Sequence, residues 1–148
     1  MDKSIQGKKN RKSGKRFEEK VRDDLETHGW IVARWLNSVS DFPEENINKP
    51  SEERIDRKIV PARTHMFMGR IVNYFTGFPD FIAFKKSDNI GIELYHIVGF
   101  ECKVSKYLSK EEKDMCNWLI DNKIFSKIFI ASKGKKRGEI NYEEFGSN

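Results

Sequence analysis

A chain of 148 residues is the length of one domain with room for a substantial core. A formal charge of +5 and a pI near 9.1 suit a polyanionic partner, while two cysteines separated by a strand and part of a helix argue against a disulfide framework and for a reducing cytosol. The N-terminus does not read as a signal peptide and no apolar run reaches membrane-spanning length, so a soluble, cytoplasmic protein without membrane attachment is expected.

Residues 1–14 are polar and basic, with Lys3, Lys8, Lys9, Arg11 and Lys12 and one aliphatic residue, Ile5. They are expected to form a disordered arm ahead of a folded domain over 15–148, the arm either lying along phosphates or serving as a solubilising tail. The first helix is predicted from near Ser13 to His28, with Gly29 as its stop, and Phe17, Val21 and Leu25 form the stripe that packs it on a sheet. Glu18 borders that stripe; its plain alternative is an i, i+4 pair with Arg22. Trp30 to Arg34 reads as a strand.

An insert at about 36–75 is the least readable segment. Asp41 to Lys58 is polar and carries Pro43 and Pro50, which predicts a long excursion or a short charged helix from Ser51 to Lys58. Arg63, His65 and Arg70 flank an apolar segment, Met66 to Phe75, that fits an extra strand, a dimer surface or a substrate-reading wall. Further on, Ser109-Lys-Glu-Glu112 is a capping box opening a helix whose core face is Met115, Cys116, Leu119 and Ile120. Ile124 to Ala131 is a further strand, Lys133 to Arg137 a basic turn, and Tyr142 to Phe145 a short terminal strand or helix. Lys8, Lys9, Arg11, Lys12 and Arg16 at one end of the chain, and Lys135, Lys136 and Arg137 at the other, are candidate nucleic-acid contacts. The three histidines and two cysteines have no zinc spacing, and there is neither a phosphate-cradling glycine loop nor a Ser-His-Asp arrangement.

The chain is organised around Thr76 to Val104. Phe81 to Phe84 and Tyr95 to Val104 read as strands joined by a polar loop over Lys85 to Gly91. Alternation puts Glu101 and Lys103 on one face and Cys102 on the other, and pairing of the two strands brings Asp80 within reach of Glu101. Acid-x-Lys also occurs at Glu18, Asp56, Glu111 and Asp121, so the spelling is cheap; only the Glu101 copy interrupts an apolar strand and follows a Pro-Asp. A carboxylate there is costly unless paired or metal-bound, the plain alternative being a same-face ion pair with Lys103.

Gly77-x-Pro79-Asp80, Glu101-Cys102-Lys103 and an upstream helix carrying Glu18 together resemble the PD-(D/E)xK nuclease superfamily, within it most closely archaeal-type Holliday-junction resolvases and virus-type replication-repair nuclease modules. The resemblance covers about Ser13 to Arg34 and Gly77 to Ser132. It implies an α/β fold, a single restriction-endonuclease-like domain with a central mixed β-sheet flanked by helices, in which the Trp30 strand pairs with the strand after Asp80. It implies Mg²⁺, with Mn²⁺ as a substitute, held by Asp80, Glu101, the backbone carbonyl of Cys102 and Glu18, with Lys103 serving the attacking water. Arg34 and Lys113 become candidate phosphate contacts, and the implied partner is DNA, branched in the resolvase reading, cut by a homodimer. A restriction or general repair nuclease, and a non-catalytic nucleic-acid binder, are the alternatives.

Overall fold

Helix α1 spans Lys3–Thr27 in the computed structural model, which describes residues 3–40, 50, 56–62, 64–67, 70–73, 77–87 and 94–146. It begins ten residues before the expected start at Ser13, so most of the segment expected to be a disordered arm is helical. The physical reason lies in side chains rather than burial: Lys, Arg and Gln are good helix formers, Gln6 Nε2 donates to Asn10 Oδ1 one turn on at 3.0 Å, and the segment continues a helix already nucleated by its buried half. That half is fixed by Phe17, Val21 and Leu25, all buried. The helix stops where Gly29 adopts φ +80° and the Trp30 N–H turns back to the Leu25 carbonyl at 3.1 Å, a left-handed cap that favours glycine.

The chain divides into two units, one of residues Met1–Arg34 and Pro79–Asn148, the other Trp35–Phe78. The first unit holds α1, β1 (Ile31–Arg34), β6 (Phe81–Ser87), β7 (Leu94–Lys103), α2 (Lys110–Asp121), β8 (Lys127–Lys133) and β9 (Ile140–Glu144). Its strands form a five-stranded mixed sheet in the order β1-β6-β7-β8-β9. The β1–β6, β6–β7 and β8–β9 pairs are antiparallel, and β7–β8 is parallel, as a crossover through a helix requires.

One face of the sheet packs on α1: Val32, Phe81, Ala83, Val98, Phe100 and Ala131 meet the helix stripe, with Phe100 stacked on Phe129 at 5.4 Å between centroids. The alternate residues of β8, Ile128 and Ile130, are buried on the other face, as are Phe125 and, on α2, Cys116 and Leu119. The expected capping box is formed: the Ser109 side chain accepts from the Glu112 N–H at 3.2 Å, and Glu112 Oε2 accepts from the Ser109 N–H at 2.8 Å. Both cysteines are free thiols.

The second unit contains β2 (Asn37–Val39), β3 (Ile59–Pro61), β4 (Thr64–Phe67) and β5 (Arg70–Asn73), paired as β2–β3 and β4–β5, both antiparallel. The expected insert at 36–75 falls inside it. Its central apolar segment is therefore part of a hairpin rather than one extra strand. The predicted helix from Ser51 to Lys58 lies mostly outside the described residues, and its described end, 56–58, is not helical; Arg63 and the segment between β6 and β7 also lie outside them, while Lys85 to Ser87 of the expected loop belong to β6. No helix among the described residues is long and apolar enough to cross a membrane.

Candidate active site

Strand register gathers the candidate residues at one edge of the sheet. Arg34 pairs with Phe81, Phe81 with Phe100, and Lys103 with Ser132, so β1, β7 and β8 end where β6 begins. Asp80 sits immediately before β6, and its position is set by a close approach. Pro79 is fully buried and rests over Gly99, where a Cβ would come within 2.7 Å of the proline ring and 3.3 Å of Ile128. Glycine in the middle of β7 lets the Pro-Asp turn settle onto the strand. The Asp80 carboxylate then accepts the Cys102 N–H at 2.8 Å.

The Glu101 side chain is buried at 7% exposure, against 23% for the Lys103 side chain. Lys103 Nζ lies 3.1 Å from Glu101 Oε1 and 2.5 Å from Glu112 Oε1, so the ammonium bridges the strand to α2. Glu101 Oε2 is buried with no hydrogen-bond partner. Burial, then the charge of Asp80, pushes the Glu101 carboxyl up from 4.5 to about 8, against the pull of Lys103. Asp80 is raised to about 6, again chiefly by burial, although the Cys102 amide opposes the shift; Glu18 adds to it. Lys103 is held above its ordinary value: burial pulls it down, but the Glu101 charge and the hydrogen bonds to both glutamates outweigh that. Two carboxyl groups are thus kept from ionising freely beside a firmly charged ammonium. A hard cation would relieve that arrangement.

Glu18 comes off α1 toward the same edge and is ion-paired with Arg34 at 2.6 Å, not with Arg22, which pairs with Glu26 at 2.9 Å. Arg34 also lies over the Phe81 ring at 5.7 Å. Cys102 shows its N–H to Asp80, while its thiol is pushed far up by burial and by the surrounding carboxylates; it is no nucleophile.

Lys113 stands elsewhere, lining a cavity of about 330 Å³ with Lys106, Tyr107, Glu143 and Glu144. Lys9, Lys12 and Arg16 line a cavity of about 430 Å³ with Lys20 and Lys133. Lys8 and Arg11 are exposed on α1, and Lys135, Lys136 and Arg137 are exposed in the β8–β9 turn. Sequence reading did not assign Glu112 to the site. Its capping-box spelling accounted for it fully, yet one oxygen caps α2 and the other holds Lys103. The signal was the short connection, which leaves only Val104 to Leu108 between the strand end and the cap.

Among the described residues, no three His, Cys, Asp or Glu side chains are grouped closely enough to hold a metal ion by themselves. The residues that fit a cation are the Asp80 and Glu101 pair, because of the orphaned Glu101 oxygen. No family model, no curated protein and no solved structure matches the chain.

Proposed function

We propose that the chain is a metal-dependent endonuclease hydrolysing DNA phosphodiester bonds, built as a restriction-endonuclease-like domain of the PD-(D/E)xK type. The observation that carries this reading is Glu101 Oε2, a buried carboxylate oxygen without a partner, beside a second carboxylate and an ammonium. Shutting such an oxygen away from water is costly, and a divalent cation is the partner that two hard anionic oxygens suit.

Asp80 and Glu101 would hold Mg²⁺, or Mn²⁺ in its place, with the Cys102 carbonyl as a further oxygen donor, while Glu18, expected among the donors, is paired with Arg34. Such an ion, when bound, would supply a water of lowered pKa and positive charge to offset that of the phosphodiester. Lys103 does the rest of the electrostatic work. Of its three N–H donors, two face Glu101 and Glu112, and the third serves the attacking water or a phosphate oxygen. Preorganisation by two carboxylates keeps the ammonium in place before substrate arrives. Arg34, steadied by Glu18, offers its guanidinium fork to a neighbouring phosphate. The sequence resemblance extends the reading to four-way junctions cut symmetrically by a twofold dimer.

The test is cleavage of a labelled four-way DNA junction, and of its separate duplex and single-stranded arms, with Mg²⁺ or EDTA, by wild type and Asp80→Ala. Paired, metal-dependent cuts confined to the junction and lost in the variant support the resolvase form. Cuts in duplex or single strands keep the active centre and move the function to restriction or repair. Binding without cleavage under Mg²⁺ and Mn²⁺ overturns the enzymatic reading.

A further inference from the structure

The first half of α1 is charged in one sense only. From Lys3 to Arg16 it carries seven cations and no acid, the first acid of the helix being Glu18. Lys9, Lys12, Arg16 and Lys20 follow one another at three, four and four residues, so they share one face. That face lines the 430 Å³ cavity, and Lys133, at the end of β8, closes it from the other side. The β8–β9 turn lies against the helix: Lys20 Nζ reaches the Gly138 carbonyl at 3.5 Å. The one acid of that turn, Glu139, is occupied elsewhere, its carboxylate accepting the Lys136 N–H at 2.9 Å. None of the five lining cations is ion-paired among the described residues.

This arrangement is unfavourable for the protein alone. Cations crowd the positive end of the helix dipole, and Lys8 with Lys12, Arg11 with Lys15, and Lys12 with Arg16 are like charges at i, i+4. A polyanion removes both penalties at once. Lys9 to Lys20 spans about 16 Å of helix axis, long enough to follow several successive phosphates of one nucleic-acid strand. Register also places the groove's β8 wall beside the proposed active centre, because Lys133 follows directly on Ser132, the partner of Lys103.

The geometry points to the α1–β8 groove as a track for the phosphate backbone of a nucleic-acid strand, engaging Lys9, Lys12, Arg16 and Lys133 and delivering the strand to the sheet edge. It is a binding site in its own right and does not depend on hydrolysis at Glu101.

The test is fluorescence anisotropy with a labelled 30-nucleotide single strand and its duplex, in EDTA so that nothing is cut, over a series of salt concentrations. The full chain is compared with Lys9→Gln/Lys12→Gln/Arg16→Gln/Lys133→Gln and with a control of equal charge change, Lys85→Gln/Lys106→Gln/Lys110→Gln/Lys123→Gln. The groove variant should lose tenfold or more in affinity, and its slope of log K against log salt should fall by about 3, near 0.7–0.9 per lost phosphate contact. Its far-UV circular dichroism spectrum without DNA should retain the folded signal. Equal losses in both variants, or an unchanged slope in the groove variant, overturn the proposal. So does displacement of the DNA by poly-glutamate as effective as by unlabelled strand, which would make the groove a seat for an acidic protein. Because no turnover is involved, failure here leaves the hydrolytic reading standing, and loss of cleavage in Asp80→Ala leaves this one standing.

Discussion

The strand edge around Glu101 and the basic face of α1 are both places where the chain tolerates unfavourable electrostatics, and they do so by opposite means. At Glu101 the cost is desolvation: a carboxyl at 6% exposure with one oxygen unpartnered, next to a second, half-buried acid. On α1 the cost is repulsion between exposed cations in high dielectric. The first is nearly blind to salt, while the second is screened within a Debye length of about 10 Å at 0.1 M. Ionic strength therefore separates the two regions, and each proposed ligand, a divalent cation for one and a phosphate chain for the other, cancels the cost of its own region alone.

The comparison breaks most visibly with Glu101→Gln. The substitution keeps the shape and removes the charge, so cleavage should fall by at least about 10²-fold. The same variant should be more stable than wild type at alkaline pH, because an amide need not ionise in the interior. Cleavage assays in Mg²⁺ beside thermal unfolding in EDTA check both halves, and a variant that loses stability at every pH would mean that Glu101 is a structural ion pair with Lys103.

Next in size is the pH dependence of the metal-free wild type. The folded-state value of Glu101 is raised from 4.5 to about 8, so between these values the folded chain binds more protons than the unfolded one. Stability is then highest at or below about pH 4.5 and declines as pH rises through 8, by roughly a few kcal/mol from this group. Asp80, raised to about 6, acts in the same direction. Urea midpoints measured from pH 5 to 9 in EDTA should fall with pH, and the fall should be the same at 50 and 500 mM salt. Millimolar Mg²⁺ should flatten it.

Much of this edge was legible in the chain because strand alternation is a period-2 code. Glu101 and Lys103 share a face and Cys102 packs oppositely, as apolar patterning predicts, whereas the pairing of β1 with β6 is what the family resemblance implies. What could not be read is what pairs across space. Glu18 has Arg22 one turn on along its own helix, yet it meets Arg34, sixteen residues away and one layer across. Glu112 looked complete as a cap and has a second task. α1 starts at Lys3 rather than near Ser13 because composition measures what a segment can bury, and the first half of α1 is helical without burying much. The 36–75 segment gave no periodicity from which its hairpins could be drawn.

Gly99→Ala tests how finely the acid pair is placed. An added methyl would lie 2.7 Å from the Pro79 ring, and neither proline nor the β7 backbone gives way easily, so overpacking should cost about 1–3 kcal/mol. Displacing Pro79 also draws Asp80 from the Cys102 amide, so cleavage should drop further than the stability loss explains. Equal binding of DNA by this variant, measured in EDTA, would locate the damage at the acid pair rather than in the groove.

The smallest expected effect is on the other side of the comparison. Lys12→Glu places an acid four residues before Arg16, replacing a repulsive pair with an attractive one in the favourable orientation, worth about 0.2–0.5 kcal/mol, and puts negative charge in the positive half of the helix dipole. The helix should become slightly more stable at 20 mM salt and indistinguishable from wild type at 500 mM, where the repulsion it relieves is already screened. DNA affinity should move the opposite way. A gain in stability together with a loss in binding, both vanishing at high salt, would show that the one-signed face of α1 is maintained for its ligand rather than for the fold. A loss of stability at low salt would mean that Lys12 already has a partner and that the groove is less available than its geometry suggests.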